Sequence, residues 1–197
     1  MRVIAGTFRG RRLTAPKGNR LVRPTTDRVK ESVFSILREQ VVDAKFLDLC
    51  AGTGSMGIEA LSRGAKHVTF LERDPRCIEI IERNLDTCGL LTESQARYHL
   101  FRRDVVKGIA QLCNRSFVFE IIYFDPPYGV GLVGGSQLYT TCLPLLAESS
   151  LLCADGTLLV EHAKRCVMPD TVGSLRRSRQ ACYGDTVVSF YEKICGY

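Results

Sequence analysis

The chain has 197 residues, 45% of them hydrophobic, with 27 Lys/Arg against 21 Asp/Glu. That length suits one soluble α/β domain with at most a small appendage. No apolar run approaches the ~18–20 residues of a membrane span, and the stretch after Met1 is too short for a signal peptide, so a cytoplasmic protein without a membrane is expected.

Charge is unevenly placed. Residues 1–38 carry ten basic residues (Arg2, Arg9, Arg11, Arg12, Lys17, Arg20, Arg23, Arg28, Lys30, Arg38) against Asp27 and Glu31, a net +8. The rest of the chain holds 17 basic and 19 acidic residues. A basic arm on a near-neutral body is an electrostatic footprint for a polyanion, and it lacks the sustained amphipathic helix that a lipid surface would select.

In chain order, Arg2–Ala5 and Arg11–Leu13 read as two short strands around Gly6 and Gly10, a hairpin-like start. Pro16-Lys17-Gly18-Asn19 is a turn cluster. Arg23-Pro24-Thr25-Thr26-Asp27 leads into a helix that Thr26 or Asp27 caps, with Val29, Val33, Ile36, Leu37 and Val41 on one face. Strands are then expected near 45–49, 67–71, 97–102, 118–124 and 157–161, alternating with helices near 55–63, 75–87, 104–112 and 137–147. Such alternation predicts a mostly parallel sheet covered by helices on both faces. Residues 180–183 and 187–191, around Gly184-Asp185, predict two antiparallel strands at the sheet edge.

Nine cysteines, odd in number and without a C-x-x-C pair, suggest reduced thiols serving as small buried hydrophobes. His67, His99 and His162 are scattered away from ligand spacing, so no metal is expected.

Two motifs carry chemistry. The first is Asp48-Leu49-Cys50-Ala51-Gly52-Thr53-Gly54-Ser55-Met56-Gly57, in which glycines 52, 54 and 57 satisfy G-x-G-x-x-G between a strand and a helix. Glu72 closes the next strand, where an acid can bind both hydroxyls of a ribose. These features alone suit a nicotinamide dinucleotide or S-adenosylmethionine. Asp48 favours the second, because a carboxylate in that turn would repel a pyrophosphate and attract the ammonium of a methionine end. Asp104 is placed either to accept from an adenine amine or to cap the helix after it. Arg73 either packs on the adenine face or is solvated.

The second motif is Asp125-Pro126-Pro127-Tyr128, at the end of the apolar run 117–124. Asp125 and the Pro126 carbonyl can each accept one N–H of a flat exocyclic amine, and neither proline has an N–H to compete. Tyr128 offers a ring face for the base, worth roughly 1–3 kcal/mol. An ordinary Pro-Pro loop with a capping Asp is the plain alternative. The rule that ligands bind outside the carboxyl ends of parallel strands places Asp48, Glu72, Asp104 and Asp125 in one crevice.

With these residues in place the chain resembles the class I S-adenosylmethionine-dependent methyltransferases. Arg2-Val3-Ile4-Ala5-Gly6, Gly10-Arg11-Arg12-Leu13, residues 23–31 and Tyr183-Gly184-Asp185-Thr186 further resemble the bacterial small-subunit ribosomal RNA guanine-N2 methyltransferase family, over essentially the whole chain. The resemblance implies a Rossmann-like, seven-stranded, mostly parallel sheet with an antiparallel C-terminal hairpin. It also implies a basic RNA-binding extension (1–26) on a methyltransferase domain (27–197), and methylation of one guanine of 16S rRNA, in a 30S subunit or its assembly intermediate, with no obligate protein partner. Asp125, Pro126, Pro127 and Tyr128 become the amine-binding and stacking set. Asp48, Ala51, Gly52, Thr53, Gly54, Glu72, Arg73, Asp104 and Val105 become the S-adenosylmethionine set, and Arg23, Thr25, Thr26, Arg28 and Tyr128 contact RNA. The glycine-rich stretch Gly129–Gly135 is either a lid or an inert connection. Rival expectations are a DNA adenine or cytosine amino-methyltransferase, a nicotinamide-dependent dehydrogenase, and a catalytically silent ribosome-assembly factor.

Overall fold

The computed structural model describes residues 1–15, 26–92, 97–127 and 137–194. Helix α1 (Asp27–Leu37) precedes strand β1 (Lys45–Leu49); then α2 (Ser55–Ser62), β2 (His67–Glu72), α3 (Pro75–Thr87), β3 (Tyr98–Arg102), α4 (Val105–Asn114), β4 (Phe119–Phe124) and α5 (Gln137–Glu148) alternate. Strands β5 (Leu152–Ala163), β6 (Thr171–Val172), β7 (Leu175–Tyr183) and β8 (Thr186–Lys193) follow. The turn at 16–19, Arg23, Thr25, Tyr128 and the stretch 129–135 lie outside the described residues.

The sheet order is β3-β2-β1-β4-β5-β8-β7-β6. Pairs among β1–β5 are parallel, and β8, β7 and β6 add on antiparallel. The winding reverses between β1 and β4, which opens a crevice at their carboxyl ends, the usual place for a ligand in an open α/β sheet. Both faces are covered, so β1, β2 and β4 are apolar nearly throughout. Phe46, Phe70 and Ile121 face a core shared with α1, α2 and α3, whereas Leu47, Leu71 and Ile122 face one shared with α4 and α5. Burying each such side chain contributes about 1.5–3 kcal/mol. Close helix packing needs glycine at one point in particular: a Cβ at Gly57 would lie 2.3 Å from Phe70 and 2.7 Å from Val68.

Helix α1 starts at Thr26, whose hydroxyl accepts from Val29 N–H at 3.3 Å, and breaks at Arg38, where φ is 45°. A 3-10 turn then carries the apolar face on to Val41. The Arg63 guanidinium at the end of α2 stacks over Phe34 at 5.0 Å, near the end of α1. The start of α1 therefore lies toward the carboxyl ends of the strands.

Three expectations need correction. Among the described residues the sheet has eight strands rather than seven, because Thr171–Val172 adds a two-residue edge with too little sequence to show a pattern. The N-terminal hairpin reduces to a single bridge between Arg2 and Arg12. Val3 and Leu13 N–H still bond across it to the Arg11 and Met1 carbonyls, but Ile4 and Ala5 N–H go to Glu59, and in the turn Thr7 and Phe8 N–H go to the Ser62 carbonyl and hydroxyl. Lys30, counted with the basic arm, is fully buried and contributes no surface charge. Residues 1–15 also share the main core, through Val3, Phe8 and Leu13.

Candidate active site

The loop after β1 is held from both sides. Asp48 is buried, and one of its oxygens accepts from Gly57 N–H at 3.0 Å, across the start of α2. Burial pushes its carboxyl up to about 8, against the Gly57 N–H and with help from the neighbouring Glu72 charge. The carboxylate is thus built into the loop from beneath rather than projecting openly into the turn. Cys50 follows with φ 60° and Gly54 enters α2 with φ 73°. A left-handed conformation at a non-glycine residue costs about 1–3 kcal/mol and is commonest at functional sites. Burial, then the charges of Glu72, Asp125 and Asp48, push the Cys50 thiol well above its ordinary range, which removes it as a nucleophile.

Glu72 joins the first two strand ends. Its carboxylate accepts from Gly52 N–H at 2.8 Å, Arg73 N–H at 2.7 Å and Asp74 N–H at 2.8 Å. Arg73 itself is exposed. Asp104, half-buried at the end of β3, caps α4 by accepting from Val106 N–H at 3.1 Å. Val105 is buried among the residues of the second core. Gly52, Thr53 and Gly54 are buried and Ala51 is half-buried, so the loop presents backbone more than side chains.

Across the switch point, Asp125 follows β4 directly and its N–H still reaches the Leu49 carbonyl at 3.5 Å. Asp125 is half-buried, Pro126 buried and Pro127 exposed. Two residues before it, the buried Tyr123 phenol donates to the carboxylate of Glu161 on β5. Tyr139 of α5 donates to the Glu161 backbone carbonyl at 2.8 Å. Asp48, Glu72, Asp104 and Asp125 therefore do occupy successive strand ends at one rim of the sheet.

The N-terminal segment is clamped to this region. Glu59 on α2 accepts from Ile4 N–H at 2.8 Å and Ala5 N–H at 3.0 Å, pairs with Arg63 at 2.8 Å and lies 3.5 Å from the Lys30 ammonium. Asn84 on α3 accepts from Thr14 N–H at 2.7 Å and donates to the carbonyls of Thr14 and Thr53. The Thr53 hydroxyl donates to the Met1 sulfur at 3.6 Å. The amino-terminal residues thus touch the glycine-rich loop itself. Thr26 and Arg28 are exposed at the start of α1, toward the same rim, and Thr26 is occupied as a helix cap.

Sequence reasoning missed Glu59, Asn84, Tyr123 and Glu161. Nothing in a single sequence separates Glu59 or Asn84 from solvated helix residues, since their partners lie far along the chain. Glu161 carried a faint signal, as an acid ending the apolar run Leu158-Leu159-Val160.

Comparison with known proteins agrees with this architecture. The family model described as "Conserved hypothetical protein 95" matches residues 1–192. YlbH of Bacillus subtilis is 38% identical over 98% of this chain and 99% of its own length. The ribosomal RNA small subunit methyltransferase D of Escherichia coli is 32% identical over 98% of this chain and 90% of its own. The solved structure of Escherichia coli yhhF is 31% identical with a TM-score of 0.79, covering 98% and 97% of the two chains. A Thermus thermophilus 16S rRNA N2 G1207 methyltransferase, solved with AdoMet and guanosine, shares the fold at 18% identity and TM-score 0.67, over 86% of this chain and 44% of that one. The chain belongs to the conserved hypothetical protein 95 family, and with it to the methyltransferases that resemble ribosomal RNA small subunit methyltransferase D.

Proposed function

We propose that this protein transfers a methyl group from S-adenosylmethionine to the exocyclic 2-amino group of one guanine in small-subunit ribosomal RNA. The observation that carries the reading is the placement of Asp125-Pro126 at the end of β4, directly across the switch point from the glycine loop of β1. The donor set fits a cationic cofactor: Glu72 and Asp104 stand at the second and third strand ends, Asp48 braces the loop from beneath, and the loop at 51–54 contributes no basic side chain that would neutralise a pyrophosphate. Relatives named as ribosomal RNA methyltransferases support RNA as the acceptor, and the distant relative solved with AdoMet and guanosine supports both donor and base.

When bound, S-adenosylmethionine supplies an electrophilic methyl carbon on a sulfonium. The chain supplies the rest. Ala51–Gly54 and Glu72 hold the donor, with Glu72 offering acceptors to ribose hydroxyls and Asp104 to an adenine amine. Asp125 and the Pro126 carbonyl accept the two amine hydrogens, drawing the nitrogen lone pair out of conjugation and fixing its direction of attack. Those bonds strengthen as positive charge develops on nitrogen, so they favour the transition state over the bound base. Asp125 then takes the released proton. Tyr128 stacks on the base after it leaves its helix. The exposed Arg9, Arg11, Arg12 and Arg28 contact phosphates without reading sequence.

The test is tritium transfer from labelled S-adenosylmethionine onto naked small-subunit RNA, immature 30S particles and duplex DNA, with the modified nucleoside identified by mass spectrometry. N2-methylguanosine in RNA is expected. DNA as the best acceptor, or another modified base, refutes the proposal.

A further inference from the structure

Glu161 is buried, carries a charge-bearing group and has no part in the chemistry described above. Its position is set by pairing. The parallel register of β4 and β5 runs Ile121↔Thr157, Ile122↔Leu158, Tyr123↔Leu159 and Phe124↔Val160, so the next step places residue 161 beside Asp125. Neighbouring strands lie about 4.8 Å apart. Glu161 is 5% exposed and Tyr123 1%. The carboxylate is fixed from β4 by the Tyr123 phenol, and its backbone carbonyl from α5 by the Tyr139 hydroxyl. From the following residue, His162 Nε2 meets the Ser189 hydroxyl on β8 at 2.9 Å, which pins this end of β5 to its other neighbour. A carboxylate is expensive to bury, and one anchored this way beside an acceptor site has a defined direction.

The acceptor bases differ in the atoms that flank the amine. In guanine the amine stands between a ring N–H and a ring nitrogen with a lone pair; in adenine and cytosine it stands between a ring nitrogen with a lone pair and a ring carbon. A carboxylate accepts from the ring N–H and repels the lone pair. With the amine held at Asp125 and Pro126, one flank of the base lies toward β5, where Glu161 stands, and a carboxylate there favours the pose that turns the ring N–H, rather than the lone-pair nitrogen, toward it. We propose that Glu161 is a specificity-determining residue that accepts the ring N–H adjacent to the acceptor amine and thereby selects guanine. This rests on the guanine-N2 reading above. Tyr123 is its positioning residue, holding one carboxylate oxygen so that the group faces the base edge.

The test uses RNA with either guanine or 2-aminopurine at the mapped target position. 2-Aminopurine keeps the amine but has a lone pair on the adjacent ring nitrogen. Wild-type protein is expected to prefer guanine by at least ~100-fold in kcat/KM, as sites built around a substrate N–H do. Glu161→Gln keeps an acceptor for Tyr123 and can turn its amide NH2 toward a lone pair. The guanine to 2-aminopurine ratio is expected to fall at least ~10-fold in this variant, through a slower guanine reaction and a faster analogue reaction. A ratio unchanged within about twofold overturns the proposal even when total activity drops, because a merely structural role lowers both substrates together. Should Glu161→Gln fail to fold, the wild-type comparison decides: equal methylation of both RNAs means the ring N–H is not read. Guanine methylated without such discrimination sinks only this inference, whereas methyl found on adenine or cytosine sinks the guanine reading as well.

Discussion

Replacing Glu59 by Gln tests how the amino-terminal segment is attached. Every group around the Glu59 carboxylate is a donor: Ile4 N–H, Ala5 N–H, the Arg63 Nε–H and the Lys30 ammonium. Both charges of the Lys30–Glu59 pair are fully buried, and Lys30 also donates to the Arg2 carbonyl at 2.5 Å. Burial holds the Lys30 ammonium below its ordinary range, and the Glu59 charge opposes that shift. An isosteric Gln keeps one acceptor oxygen but turns an NH2 against surrounding donors and leaves the ammonium without its counter-charge. Removing one partner of a buried pair costs about 3–5 kcal/mol. For a chain of this size each kcal/mol moves Tm by roughly 2–4 °C, so a fall of about 6–20 °C is expected. Urea unfolding at pH 7 gives the free energy through Cm, and trypsin cleavage at the exposed Arg9, Arg11 and Arg12 reports release of the segment. Adding Lys30→Met should restore part of the loss, since no unpaired ammonium then remains buried. A loss under about 1 kcal/mol, the size of an exposed pair, would refute this account.

Asp48→Asn changes the pH dependence of stability. With its carboxyl raised to about 8 by burial, folded protein keeps a proton that unfolded chain has lost between about pH 4 and 8, so stability falls as pH rises through that window, by at most about 1.4 kcal/mol per unit. Asn has no proton to lose and still accepts from Gly57, so urea unfolding at pH 5, 6.5 and 8 should show a flatter profile; equal slopes would refute the shift. Gly57→Ala should cost about 1–3 kcal/mol, because its Cβ falls 2.3 Å from the Phe70 ring. A Tm unchanged within 1–2 °C, on the order of the smallest meaningful shift, would mean α2 can retreat from β2 freely. Asp125→Ala should lower kcat by ~10²-fold or more, whereas Tyr128→Phe should stay active and Tyr128→Ala should not; near wild-type turnover of the first, or a dead Phe variant, contradicts the assigned roles. Raising salt from 50 to 200 mM, about a fourfold change, should weaken RNA binding steeply and donor binding little; parallel losses would disprove separate electrostatics.

What was legible in the sequence follows the range of the interactions involved. Strands β1, β2 and β4 are apolar on both faces, so their existence and order came directly from composition along the chain. Helices α3 and α4 start at local side-chain caps, Asp74 and Asp104, and α2 starts at the glycine turn of Gly54 without one. The first part of strand β7 was not legible, because 175–179, carrying Arg176, Arg177 and Arg179, has no buried alternation, whereas 180–183 reads as a strand. Strand β5 was expected to begin at 157, yet it starts at Leu152 and passes a register shift opposite Phe119–Ile121, which only the partner strand dictates. The site divides in the same way. Asp48, Glu72, Asp104 and Asp125 end strands and could be placed by counting; Glu59, Asn84 and Glu161 act across 22 to 70 positions of sequence and could not.

On the proposed reading, the placement of charge gives the two parts of the chain separate tasks. Glu72, Asp104 and Asp125 lie at strand ends on one rim, with the buried Asp48 and Glu161 in the same row. A crevice lined in this way favours a cationic donor and opposes any phosphate, so a ribosomal RNA substrate gains nothing electrostatically from the site where it reacts. In the proposed reaction its attraction arises outside the crevice, and Arg9, Arg11, Arg12 and Arg28 are exposed for that role. A tether of that kind is useful only when its geometry relative to the site is fixed. Lys30 and Glu59 provide that by burial, and Asn84 provides it by bonding the Thr14 and Thr53 carbonyls at once, so the base of the arm and the glycine loop share a single side chain. The arm is therefore continuous with the catalytic core, and the cost of burying a lysine is the cost of aiming it.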